Sequence, residues 1–219
     1  MAKEGHKPGL PVLGQPPPAP EERADAARNR ARILDAARRL MAQKPISEVC
    51  MDEVAAEAGV GKGTLYRRFA DRAALCHALL DSEAVVLQQR VLAGFDLRED
   101  APWLLRLQRL FEALIDFTVK NALLLSEAHA YEKTHDRYGH PAHHWQRQTV
   151  MLYLRQAVAA NELKAVEYEM TADFLLAPID PDLLRFHLGR GRSIQELKTQ
   201  FLSFANSAIG VPRPGPHLI

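Results

Sequence analysis

The chain is poor in cysteine. Only Cys50 and Cys76 occur among 219 residues, and neither belongs to a C-x-x-C pair. That argues against a disulfide framework and against a cysteine-rich zinc site, and it suits a reducing compartment. Apolar runs stay well short of the roughly 18 residues that a membrane span needs. The N-terminus lacks the charged start, apolar stretch and small-residue cleavage site of a secretory signal. A soluble, cytoplasmic protein is the expectation. A dominant charge of one sign is missing too. With 28 Lys+Arg and 27 Asp+Glu the formal net charge is +1, which excludes a uniformly basic coat but not a locally basic face. Alternating β-branched segments bounded by turn residues do not occur, so strands are not expected.

Most of what is present is helix-forming. Ala, Leu, Arg and Glu dominate the interior, while the prolines crowd the ends: Pro8, Pro11, Pro16, Pro17, Pro18 and Pro20 at the start, Pro212, Pro214 and Pro216 at the finish. Residues 1–22 and 211–219 read as tails without a core. Apolar spacing predicts helices over about 25–43, 51–58, 62–69, 72–94, 102–119, 121–133, 142–160, 168–177 and 193–208. The fold class is all-α, with a first unit at 23–72 and a second helical domain at 73–210.

The densest signal runs from Val49 to Phe69, VCMDEVAAEAGVGKGTLYRRF. Two short helices flank a glycine turn, the form of a helix-turn-helix. Ala55 is small where the helices must approach. Gly59 stands at the turn, where a positive φ penalises a Cβ. Val54, Val60 and Leu65 supply the contacts that fix one helix on the other. The second helix then presents Lys62, Thr64, Tyr66 and Arg67, donors suited to phosphates and base edges. From Gly61 to Ala70 it carries three bases and no acid.

AGVGKGTLYRRF followed by Asp71-Arg72-Ala-Ala-Leu75 resembles the signature of the tetracycline-repressor (TetR) family of transcriptional regulators. The likeness is strong over about 25–95. Beyond that it rests on helical pattern and length, apart from LLAPIDPDLLRF (175–186). Three positions depart from the family pattern. Gly61 stands where many members have Ser, Arg68 where His is usual, and Cys50 where Thr often caps the first short helix.

The resemblance implies that Tyr66, Arg68 and Lys62 contact phosphates and that Thr64 and Arg67 approach base edges. It further implies that Arg72 meets a phosphate from the start of the fourth helix, and that Arg28 and Arg30 reach adjacent backbone. It implies a homodimer on a palindromic double-stranded DNA operator, released by a small-molecule effector, with no catalytic role and no cofactor. Trp103, Phe111, Phe117, Tyr131, Trp145 and Tyr153 are the large residues available to line a pocket, with His129 or His144 to orient a polar group. Ile194, Leu197, Phe201, Phe204 and Ala208 step by 3, 4, 3 and 4, a narrow seam suited to helix pairing. Phe174 and Leu175 join it as candidate dimer anchors.

One alternative lies in the histidines. His129, His135, His140, His143 and His144 cluster with Glu127, Glu132 and Asp136, a composition suggestive of metal binding. The spacing matches no H-E-x-x-H pattern, and Pro141 makes His140 a loop or cap residue. A helical protein-interaction module is the other alternative. No nucleophile elbow, phosphate loop or paired carboxylates point to an enzyme.

Overall fold

A computed structural model describes residues 24–131 and 138–211; the candidate tails, His135 and the Tyr131 side chain lie outside the described residues. The described residues form helices and no strand. Helices α1 (Ala24–Met41), α2 (Met51–Ala58), α3 (Lys62–Arg68), α4 (Arg72–Leu92), α5 (Trp103–Lys120) and α6 (Ala122–Tyr131) come first. They are followed by α7 (Pro141–Ala159), α8 (Tyr168–Leu176), α9 (Pro181–Gly189) and α10 (Ile194–Ala208). Short 3-10 turns lie at Ile46–Glu48 and Gly94–Asp96.

Helix α9 was not anticipated from apolar spacing. Its apolar residues do not share one face, Leu183 and Phe186 being exposed and Leu184 buried, but its start is well signalled. Asp180 accepts hydrogen bonds from the Asp182 and Leu183 amides, and Pro181 occupies the first turn, where a missing N–H costs nothing. Asp71 caps α4 through the Ala74 amide at 2.8 Å. Ser193 and Glu196 form a reciprocal capping box at α10. The cap of α5 comes from far away: both Glu162 carboxylate oxygens accept from the Trp103 and Leu104 amides at 2.9 Å.

Two apolar cores organise the molecule. The first joins α1, α2, α3 and the front half of α4 around Ile33, Val54, Leu65, Leu75 and Leu79. The second joins the rear of α4 to α5, α7, α8, α9 and α10 around Phe111, Leu114, Leu154 and Leu175. Helix α4 is common to both, contributing Leu75 through Leu80 to one and Leu87 and Val91 to the other. At about 1.5 Å per residue its 21 residues extend some 30 Å, so a displacement of one end is carried to the other. Phe117 and α6 also reach the first core, with Ala128 wholly buried there.

Candidate DNA-reading head and ligand cavity

The reading head is built on a rigid turn. Gly59 ends α2 with φ 62°, a left-handed backbone conformation that favours glycine; a Cβ there would displace only the mobile tip of Arg32, 2.8 Å away. Arg32 itself donates to the Gly59 carbonyl at 3.3 Å. Val54, Ala55 and Leu65 are buried between the helices. With Leu65 and Phe69 turned inward, α3 has its other sides left to solvent. Lys62, Tyr66 and Arg67 are exposed, Tyr66 at 46%, and Thr64 and Arg68 are half-buried beside them.

The charges around this edge are largely arranged in pairs. Lys62 donates to Asp52 of α2, and that carboxylate holds the ammonium pKa above its usual value. Arg39 pairs with Glu57 and Lys44 with Glu53, both at 2.7 Å, while Arg38 bridges Asp35 and Ser82. Arg67 makes no ion pair among the described residues. At the head of α2, Cys50 takes the capping position. Its amide donates to Glu53 at 2.9 Å, the half of a capping box that does not depend on a threonine hydroxyl. Lys44 and that amide together pull the Glu53 carboxyl below its ordinary pKa.

Two of the anticipated phosphate contacts are placed differently. The Arg72 guanidinium turns inward to Glu127 of α6 and to the Ser47 carbonyl, at 3.0 Å for the latter. A carboxylate held at 13% exposure outcompetes solvent for that guanidinium. Arg30 lies half-buried over the Phe69 ring, 5.3 Å from its centroid, a cation–π contact that commits its face to packing. Arg28 is exposed at the head of α1.

A cavity of about 290 Å³ lies where α4 passes from one core to the other. His77, Leu80, Asp81 and Ala84 of α4 form one wall, a helical i, i+3, i+4, i+7 face. Phe117, Leu125, His129, His140, His143 and Asp173 stand among the residues opposite. Of the anticipated lining, Phe117 and His129 are there. Trp103, Phe111, Trp145 and Tyr153 are not: they pack in the second core, Phe111 against Phe201 at 5.1 Å and Trp103 against Tyr153 at 5.8 Å. Their area is better used in excluding water from the core than in lining a void. His144 is exposed and points away from the cavity lining. His77 escaped notice because it lies 52 residues before His129 in the chain; its spacing to Leu80, Asp81 and Ala84 was the available signal. Among the described residues no group of three or more His, Cys, Asp or Glu is arranged to hold a metal ion.

The expected dimer seam is also partly internal. Leu175 and Phe201 are core residues at 1% and 9% exposure, and Ile194 and Leu197 pack on that core. Phe174 and Phe204 do face solvent, at 62% and 51%, accompanied by Met170, Leu183 and Phe186. The stripe that holds α10 to its own subunit runs through Ile194, Leu197, Phe201, Ala205 and Ile209, and leaves Phe204 and Ala208 of the expected seam outside it.

A short α2 and α3 locked by a glycine turn, joined through one long helix to a second helical core with a cavity, define a helix-turn-helix protein with a separate helical body. Residues 33–79 match the family model described as bacterial regulatory proteins, tetR family. HTH-type transcriptional regulators of Staphylococcus aureus are 38% identical over 61 residues, 28% of this chain. That match spans about a third (33%) of those relatives' own length. The fold extends the likeness. Bacillus subtilis FadR, solved in complex with stearoyl-CoA, superposes with TM-score 0.64 at 15% identity over 84% of this chain and 99% of that one. A TetR/AcrR-family regulator of Thermobifida fusca gives 0.65 at 18% identity over 84% and 98%. At these identities the solved structures speak for the fold.

Proposed function

We propose that the protein is a dimeric, ligand-responsive transcriptional regulator that represses from a palindromic operator. The observation that carries this reading is the outward polar edge of α3, Lys62, Tyr66 and Arg67, anchored by buried Leu65 and Phe69. In this reading Tyr66 and Lys62 meet phosphates, Arg68 lies beside them, and Thr64 and Arg67 approach base edges. Lys62 exchanges Asp52 for a phosphate on binding. One such head reads only a few base pairs, so two are needed, about one helical turn or more apart. Met170, Phe174, Leu183, Phe186 and Phe204 supply an apolar face for the partner copy, and symmetric pairing makes the operator a palindrome. The match of residues 33–79 to the tetR family supports the same reading.

Release follows from a population shift. A ligand in the cavity presses on α4 through His77 and Leu80 and on α6 through Leu125 and His129. Both helices are tied to the head by the Arg72–Glu127–Ser47 link. A ligand that favours one placement of these helices alters the separation of the two α3 helices and weakens binding to successive major grooves.

A gel shift with the chain's own upstream DNA tests the assignment. Arg67→Ala lowers affinity about tenfold or more, and Tyr66→Phe lowers it less, with the melting midpoint unchanged for both. Affinity for the wild type falls with added salt as counterions are released. Binding indifferent to both substitutions and to salt would refute the reading.

A further inference from the structure

The cavity's chemistry narrows what it binds. At about 290 Å³ it is roughly twice the size of a void that admits benzene, so a one- or two-ring molecule fits. Leu80, Ala84, Phe117, Leu125, Leu176 and Ile179 make an apolar bed. Four imidazoles, His77, His129, His140 and His143, share that wall with three carboxylates, Asp81, Asp173 and Asp180, and with Tyr138 and Gln146.

The carboxylates are mostly engaged elsewhere. Asp173 accepts from Arg147 at 2.6 and 3.3 Å. Asp180 accepts from two amides at the head of α9. Asp81 is exposed, where solvent weakens its pull on a cation.

The imidazoles are arranged for donation. His140 caps α7, its Nδ1 accepting from the Ala142 amide at 3.2 Å. That places the ring proton on Nε2, a donor on the opposite edge. His77 stacks on His140 with centroids 4.9 Å apart and planes 20° from parallel. An Nδ1 that accepts carries no proton, so His140 offers its Nε2–H beside the stacked His77 ring.

Building on the reading of this cavity as the effector site, we propose that it takes a compact weak acid, a flat apolar body ending in a carboxylate or similar oxyanion, received by the His77–His140 pair with His129 and His143 alongside. An ionised acid accepts stronger hydrogen bonds from these imidazole N–H groups than a neutral amide does, because one partner is charged.

The probes are benzoate and 2-naphthoate, each compared with its carboxamide and with benzylamine, on the full chain by thermal melting. The acids raise the midpoint by about 3 °C at saturation, and the amides and the amine raise it by less than half as much. His140→Asn keeps an α7 cap and the basal midpoint while losing the response to acid. His140→Asp keeps the cap but reverses the preference toward benzylamine, an outcome that a purely structural role for His140 does not produce. An amide or benzylamine matching the acids in the wild type overturns the proposal. So does zinc alone giving the full shift, or an intact acid response in His140→Asn. Acids that raise the midpoint but leave an upstream DNA fragment bound uphold the ligand class and refute the effector role, so the two readings fail separately.

Discussion

The head and the body of this protein are made of similar residues under different constraints. In the helix-turn-helix of the head, from Val49 to Phe69, each position has a local physical requirement. Gly59 must adopt a positive φ beside Arg32, Ala55 must be small, and Leu65 must point inward for Tyr66 to point out. In the body, aromatic residues have no such local requirement. Phe111 and Phe117 are six apart on one helix, yet the first fills a core and the second borders the cavity. A local motif reveals function where contacts are short-range; a pocket assembled from six helices does not reveal itself in the same way.

The contrast can be broken most severely in the body. Phe111→Ala removes a wholly buried ring in edge contact with Phe201 and should cost about 3–5 kcal/mol of stability by chemical denaturation. A loss under 1 kcal/mol would mean that the second core repacks freely. Next in size is the joint between the regions. Glu127→Gln leaves the Arg72 guanidinium without its carboxylate, and because Arg72 is 26% exposed the expected cost is discounted to about 1–2 kcal/mol. A double-mutant cycle with Arg72→Met should return a coupling of about that size. Additive losses would show that head and α6 are not joined through this pair.

A smaller gain is expected at Gln88. Its Nε2 is buried on α4 without a hydrogen-bond partner among the described residues, and Gln88→Leu should raise stability by about 1 kcal/mol. The two thiols then sharpen the comparison without altering either region. Burial, with Glu127 nearby, pushes the Cys76 thiol up to about 12, so at pH 8 almost none of it is thiolate. Exposed Cys50 should react with a thiol reagent in the native protein, and Cys76 only after denaturation. Rapid labelling of both in the native state would mean that the first core opens readily.

Much of the fold was legible. Nine helices follow from apolar spacing and agree with the structure to within a few residues where residues are described, because a helix that buries one face must repeat at about 3.6. Asp71 caps α4 for an equally local reason, its carboxylate lying three residues before the Ala74 amide. Helix α9 was missed because Leu183 and Phe186 face solvent while Leu184 is buried, so its apolar residues trace no single stripe. The site was less legible. Arg72 has the residue type and position for a phosphate, but Glu127, 55 residues away, claims it. The α10 seam has the spacing of a dimer interface, yet Phe201 meets Phe111 of its own subunit.

Residue order alone therefore determined the all-helical class, the reading head and the polar edge of α3, since these depend on backbone φ, small side chains and spacing within a few turns. Tertiary structure alone decided which histidines meet, which carboxylate caps α5 and which face of α10 remains exposed. Those outcomes depend on segments distant in the chain being brought within about 4 Å, and short-range propensity does not encode that distance.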